Sequence, residues 1–290
     1  MMRIHFSTLV AVSSLLLLGQ ACTSNQDQFS NSVEIESMEG VGKTVEAQAQ
    51  QGSSAKVENG YSLEWFSCTR NVKAPFIVML NRKDAVFSGD TCKTGLAQAF
   101  LQQDFNVLAV NRPGAGKSEG KEIIGDDQSL ASLKGLLKDQ IESGKVLAGL
   151  WGFEDASVLA LRAARAPGFQ FLIIGNGVYD WEATLNESKD PAFVADLKEL
   201  QKGQDATFVE KRSIAWDFNG LPKTVYLYHT VKDAKYPETQ AEAFRAALAA
   251  NQYNVQLIKA PSETGVLTPV VHQSVLIQIA QSIKTPAESK

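Results

Sequence analysis

The chain has 290 residues, 44% of them hydrophobic and 21% charged, with a formal net charge of −4. That slightly acidic balance, with no basic stripe along the sequence, argues against nucleic acid as a partner. Once the polar N-terminal region is set aside, about 230 residues remain, enough for one well-buried α/β domain.

In chain order the first element is a short apolar core, Leu9–Leu18, behind a positive Arg3. A stretch of that length does not span a bilayer, so residues 1–21 are expected to be a cleaved signal peptide. Leu18-Gly19-Gln20-Ala21 leads into Cys22, and small residues directly before a cysteine resemble the bacterial lipobox, although Gly19 stands where leucine is usual. The resemblance implies a lipoprotein whose acylated N-terminus, Cys22, anchors it to a membrane. The plainer reading is an ordinary signal peptide with a spare cysteine. Thr23, not Asp, follows Cys22, which by the same resemblance favours the outer membrane, facing the periplasm, over the inner one. Residues 22–60 are rich in Gln, Ser, Asn and Glu and read as a solvated tether. Within them Val33-Glu34-Ile35-Glu36 alternates and offers an edge strand. Setting Cys22 apart leaves Cys68 and Cys92, either a disulfide in an oxidising compartment or two buried thiols.

From residue 61 onward apolar runs alternate with helical patterns. Strands are expected at Tyr61–Cys68, Pro75–Leu80, Asn106–Asn111, Lys145–Trp151, Phe171–Gly175, Thr224–His229 and Asn254–Lys259. Runs such as Phe76-Ile77-Val78-Met79-Leu80 are apolar throughout, as strands buried on both faces are. Helices are expected near Cys92–Gln103, Ser129–Glu142, Ala156–Ala166, Pro237–Asn251 and Pro269–Ile283. Repeated strand–helix units predict an α/β domain over 61–290, with a mostly parallel central sheet and helices on both faces. Residues 182–221 carry no strand signal and predict a helical lid insertion over the C-terminal edge of the sheet, where open α/β sheets bind ligands. The alternative is an insertion that packs against the side.

Two segments carry the chemistry. Asn111-Arg112-Pro113-Gly114-Ala115-Gly116-Lys117-Ser118 follows a strand and resembles the D-x-P-G-x-G-x-S turn of the α/β-hydrolase superfamily. Gly152-Phe153-Glu154-Asp155-Ala156 lies between a strand and a helix, as the G-x-S-x-G nucleophile elbow does, with Glu154 in the serine position. The resemblance covers roughly Tyr61–Ile283 and is specific for fold, not for reaction. It implies an acid at Asp233, in Thr230-Val231-Lys232-Asp233-Ala234-Lys235-Tyr236-Pro237, and a histidine where Ala260-Pro261-Ser262-Glu263-Thr264-Gly265 places Thr264. Threonine does not titrate near neutral pH and cannot shuttle the proton of a nucleophile. His272, eight residues on and inside the terminal helix, is a low-odds substitute base. Two of three triad-equivalent positions are therefore chemically wrong, and the expected function is a non-catalytic binding or interaction module of the bacterial envelope. Its partner would be an unknown small ligand or envelope protein. The alternative is a divergent hydrolase of esters, thioesters or peptides using Glu154 or an unrecognised nucleophile. Whether the chain is an enzyme stays open, with the balance against.

Around this centre Asn81, Arg82, Phe153 and Asp155 are pocket candidates. Ser157 is expected to point elsewhere, and His229 to be a satisfied strand-end histidine. Trp151, Trp181 and Trp216 either line a pocket or pack in the core. Gly40-Val41-Gly42-Lys43-Thr44 and Gly114-Ala115-Gly116-Lys117-Ser118 mimic a phosphate loop, but Ser37 and Asn111 occupy the first-glycine position, so no nucleotide is expected. Mature histidines are only His229 and His272, without ligand spacing, so no metal or other cofactor is expected.

Overall fold

The computed structural model describes residues 40–213 and 217–284. The signal peptide at 1–21, the anchor at Cys22, the alternating segment at 33–36 and Trp216 lie outside the described residues.

Strands β1 (Gln48–Ser53), β2 (Glu64–Thr69), β3 (Phe76–Leu80), β4 (Asn106–Val110), β5 (Leu147–Phe153), β6 (Phe171–Gly175), β7 (Thr224–Thr230) and β8 (Asn254–Ala260) form one sheet. Their spatial order is β1-β2-β4-β3-β5-β6-β7-β8. β2 runs antiparallel to both β1 and β4, and every other pairing is parallel. β3, β4, β5 and β6 are buried at every position, which is why their sequences are apolar without alternation.

Each face of the sheet has its own core. Phe76, Val78 and Leu80 of β3 point to one side, onto α2 (Asp127–Glu142), α3 (Ala156–Ala163) and α7 (Glu238–Ala250). Ile77 and Met79 point to the other, onto α1 (Gly95–Leu101) and α8 (Pro269–Lys284). The period of two along one strand thus assigns the helices to two layers. Cys68 on β2 and Cys92, in a 3-10 turn ahead of α1, are joined by a disulfide across a separation of 24 residues. Closing a loop of that length stabilises the fold by about 3–4 kcal/mol in the chain-entropy account.

The tether gives way to sheet earlier than composition indicates. β1, Gln-Ala-Gln-Gln-Gly-Ser, lies within residues 22–60 and pairs along the whole of β2. Its side chains are polar and exposed because an outermost strand needs backbone partners on one side only, and polar residues there discourage further pairing. Ahead of it, Gln98 on α1 and Gln102 at its C-terminal cap hold the backbone of Lys43 and Val45 through side-chain hydrogen bonds of 2.6–3.0 Å. The first phosphate-loop look-alike is thus strapped along a helix.

The insertion folds as α4 (Trp181–Glu187), α5 (Pro191–Gln201) and α6 (Ala206–Glu210). An aspartate opens each of the three: Asp180, Asp190 and Asp205 accept backbone N–H bonds from the first turn. Trp181, Phe193, Leu197 and Phe208 make a third core with Val158, Val178 and Tyr236. Arg212 stacks on Phe208 (3.7 Å) and donates to the carbonyls of Ile123 and Ile124, fastening the insertion to the segment after the glycine-rich turn. Trp181 is therefore packing, not pocket wall.

Candidate functional site

The turn between β5 and α3 is tight for identifiable reasons. A Cβ on Gly152 would lie 2.6 Å from Cβ of Ala160 and 2.9 Å from the Ala156 carbonyl, so the strand and helix approach too closely for any side chain. Glu154 takes a left-handed φ of +55°, its N–H donating to the Gly175 carbonyl at 2.8 Å and its carbonyl accepting from Ser157 N–H at 3.0 Å. That backbone is costly for a residue with a Cβ. The elbow geometry is present, with a carboxylate at its tip.

A cavity of about 470 Å³ opens beside that tip. Glu154, Asp233, Thr264 and His272 all line it, as do Asn81, Arg82, Phe153 and Trp151. The triad-equivalent positions thus share one concave site, yet no hydrogen bond among them is formed. Each is engaged with something else.

Glu154 meets Arg82 Nη1 at 3.4 Å, with side-chain exposures of 19% and 48%. Burial pushes the Glu154 carboxyl above its ordinary range, against the pull of Arg82 and Lys235 and with help from Asp155 and Asp233. Asp233 is wrapped by its own turn: Oδ1 accepts the N–H groups of Lys235 (2.8 Å) and Tyr236 (3.0 Å), and Oδ2 accepts Asn176 Nδ2 (2.8 Å). Burial raises its pKa even so, with those N–H bonds pulling the other way. Thr264 Oγ1 receives a 3.4 Å contact from Val266 N–H at the cavity rim.

His272 sits in the first turn of α8 under Trp151 and Phe153, its ring centroid 4.5 Å from that of Phe153. Trp151 Nε1–H donates to Tyr228 Oη at 3.0 Å, and Tyr228 Oη lies 2.6 Å from His272 Nε2. An indole only donates, so Tyr228 Oη accepts from Trp151 and joins it to His272. Burial, reinforced by the Arg82 charge, pushes His272 down to about 3. It is a neutral imidazole without a carboxylate partner.

Three further placements bear on the site. Asp155 does not line this cavity: its Oδ2 meets Arg112 Nη2 at 2.6 Å, its Oδ1 accepts Lys83 N–H at 3.1 Å, and it borders a separate cleft between the glycine-rich turn and α5. Arg112 also binds Glu122 at 2.8 Å, and all three side chains are buried. The insertion contributes only Asp190 to the main cavity among the described residues, so it stands beside the cavity more than over it. His229 is half-satisfied: Nε2 reaches the Tyr236 carbonyl at 2.9 Å, whereas Nδ1 is buried without a partner. Ser157 Oγ accepts Val178 N–H and takes no part in the cavity.

The second phosphate-loop look-alike is closed by protein. Glu64 Oε2 accepts Lys117 N–H (2.9 Å) and Asn111 Nδ2 (2.8 Å), filling the concave side of the glycine-rich turn. Burial alone would raise the Glu64 pKa, but these bonds and one from Gln51 hold it below its ordinary value. Among the described residues no cluster of three His, Cys, Asp or Glu side chains could hold a metal ion, and no helix is long and apolar enough to cross a membrane.

The strand order, the elbow and the cavity at its tip decide the architecture. The fold is that of the α/β-hydrolases. The esterase Pf2001 of Pyrococcus furiosus matches over 82% of this chain and 92% of its own, with a TM-score of 0.59 and 15% identity. An acylaminoacyl peptidase of Pyrococcus horikoshii matches over 86% of this chain, at TM-score 0.66 and 16% identity, but this chain spans only 43% of that one. An α/β hydrolase enzyme from the metagenome of Lake Arreo, Spain, matches over 83% of this chain and 84% of its own, at TM-score 0.63 and 13% identity. No protein-family model and no curated protein matches the sequence. At such identities the likeness extends to the α/β-hydrolase fold and not to the activities of those proteins.

Sequence reasoning missed the residues that engage the triad-equivalent positions. Asn176 follows β6 with a left-handed φ of +44° in Gly175-Asn176-Gly177, a turn signal that could have drawn attention to it. Tyr228 is an ordinary strand aromatic in sequence, and only the fold brings it to His272.

Proposed function

We propose that this chain is a non-catalytic α/β-hydrolase-fold lipoprotein of the bacterial envelope, a binding module that uses the cavity at the former elbow. One observation carries the reading. The carboxylate at the acid position accepts from Asn176 and from two N–H groups of its own turn, and the imidazole that reaches the cavity gives Nε2 to Tyr228. A relay needs its base hydrogen-bonded to both nucleophile and acid, and here His272 Nε2 is bonded to Tyr228 and not to Glu154 or Asp233. The lipobox-like Gly19-Gln20-Ala21-Cys22 supports the membrane anchor and the periplasmic location.

The second reading, a divergent hydrolase, draws on the shared cavity lining of Glu154, Asp233, Thr264 and His272. Carboxylates do act as nucleophiles, but the ester they form must be hydrolysed by an activated water. His272, its basicity lowered by burial and its Nε2 tied to Tyr228, is poorly placed to supply one. Incubation with short-chain 4-nitrophenyl esters tests both. No turnover above buffer is expected. Turnover lost in both Glu154→Ala and Asp233→Ala would replace the binding reading with the hydrolytic one.

A further inference from the structure

Among the described residues Arg82–Glu154, at 3.4 Å, is the one ion pair between side chains that line the cavity. The other two carboxylates there already accept backbone or amide N–H donors. Asp190 Oδ1 caps α5 by accepting Ala192 and Phe193 N–H at 3.0 Å each, and Asp233 accepts three donors. Lys235 Nζ rests over the rings of Phe193 (4.8 Å) and Tyr236 (5.3 Å). Glu154 has one contact, to Arg82 at 3.4 Å.

The two partners do not need that contact equally. Glu154 is four-fifths withdrawn from water, whereas Arg82 is half in it. A cationic ligand on Glu154 would release Arg82 to solvent at little cost. An anionic ligand on Arg82 would instead strip a buried carboxylate of its single ion partner, which is the expensive direction. The charged side chains lining the cavity point the same way, with carboxylates Glu154, Asp190 and Asp233 outnumbering Arg82 and Lys235.

The walls set the rest of the ligand. Trp151 and Phe153, parallel to within 4° and almost wholly buried, back the cavity, while the half-buried Phe87, Leu96 and Leu267 give it an apolar wall. Apolar surface continues outward at the rim, where Val86, Val266 and Val270 are each more than half exposed beside lining residues. An apolar wall beside a carboxylate favours a cation attached to hydrocarbon.

We propose that the cavity takes a monocationic organic amine, its ammonium on Glu154 in place of Arg82 and its apolar body against Phe87, Leu96 and Leu267. The proposal rests on the binding reading above and names its ligand class. Calorimetric titration of the chain with 3-phenylpropylamine, 3-phenylpropan-1-ol and 3-phenylpropionate tests it, because the three share a body and differ in head. The amine is expected to bind about tenfold or more tighter than the alcohol, with the carboxylate weakest. Glu154→Gln, checked for folding by circular dichroism, should erase the amine's advantage. Arg82→Ala should tighten amine binding, since the internal competitor is gone. Preference for the carboxylate, weakening of the amine by Arg82→Ala, or no measurable binding of any of the three would each overturn the proposal. Those results leave the binding reading itself intact, whereas Glu154-dependent ester turnover would remove that reading whatever amine binds.

Discussion

Glu154 and Asp155 are neighbours in sequence, and each carboxylate meets an arginine. The two pairs could hardly be built more differently. Asp155 and Arg112 are both about nine-tenths buried or more, 2.6 Å apart, with Glu122 completing the cluster. Glu154 and Arg82 are 3.4 Å apart, with the arginine half in solvent. The first pair bolts the glycine-rich turn to the elbow. The second occupies a cavity and is free to exchange its partner. One peptide unit therefore separates a structural ion pair from a candidate binding one, and what distinguishes them is burial of the arginine.

The sharpest way to break this contrast is to cut each pair from one side. Asp155→Ala leaves Arg112 buried with Glu122 alone and takes an acceptor from Lys83 N–H, so a loss of about 3–5 kcal/mol is expected in urea unfolding. Arg82→Ala leaves the four-fifths-buried Glu154 without its ion partner but removes an arginine half in solvent, so a smaller loss of about 1–2 kcal/mol is expected. Equal losses from the two would mean the Arg82 pair is also structural.

His272 supplies the next largest effect, and it is a pH effect. Its folded pKa of about 3 lies below the unfolded value of 6.5, so the unfolded chain takes up the proton first on acidification. Stability from this group is complete above pH 6.5 and declines as pH falls toward 3. By pH 4 the loss reaches about 3 kcal/mol. Glu154 and Asp233 have raised pKa values and act in the opposite sense, favouring the folded state where they hold protons that the unfolded chain has released. His272→Gln keeps an acceptor for Tyr228 and removes the titration, so the difference between its acid profile and that of the parent isolates this residue. Superimposable profiles between pH 7 and pH 4 would mean His272 is not held neutral.

The same contrast explains what was legible in the sequence. Phe76-Ile77-Val78-Met79-Leu80 and Phe171-Leu172-Ile173-Ile174-Gly175 announce buried parallel strands because both faces of the sheet are covered. β1 escapes notice because an outermost strand needs backbone partners and no apolar side chains, so Gln48-Ala49-Gln50-Gln51 looks like a tether. At the site, the elbow and its odd residue are visible in Gly152–Ala156, since tight turns constrain residue type locally. The partners are not. Asn176, Tyr228 and Arg112 reach Asp233, His272 and Asp155 across separations of 57, 44 and 43 residues. Only the sheet order brings them together, and a lone asparagine, tyrosine or arginine carries no local signal of its mate.

The smallest effect returns to the elbow and asks whether its strain serves anything. Glu154 holds φ +55° although it is not glycine, which costs about 1–2 kcal/mol for an L residue with a Cβ. Glycine at the same place removes that cost but admits more unfolded conformations, worth about 0.4–1 kcal/mol in the other direction. If the Arg82 contact adds little, Glu154→Gly should stabilise the chain by about 0.5–1 kcal/mol, seen as a rise in the thermal midpoint. A stabilised variant that no longer binds amines would show the strained carboxylate kept at the expense of stability, which is the mark of a binding group. A destabilised variant would place Glu154 with Asp155, as part of the frame, and the contrast between the two neighbours would disappear.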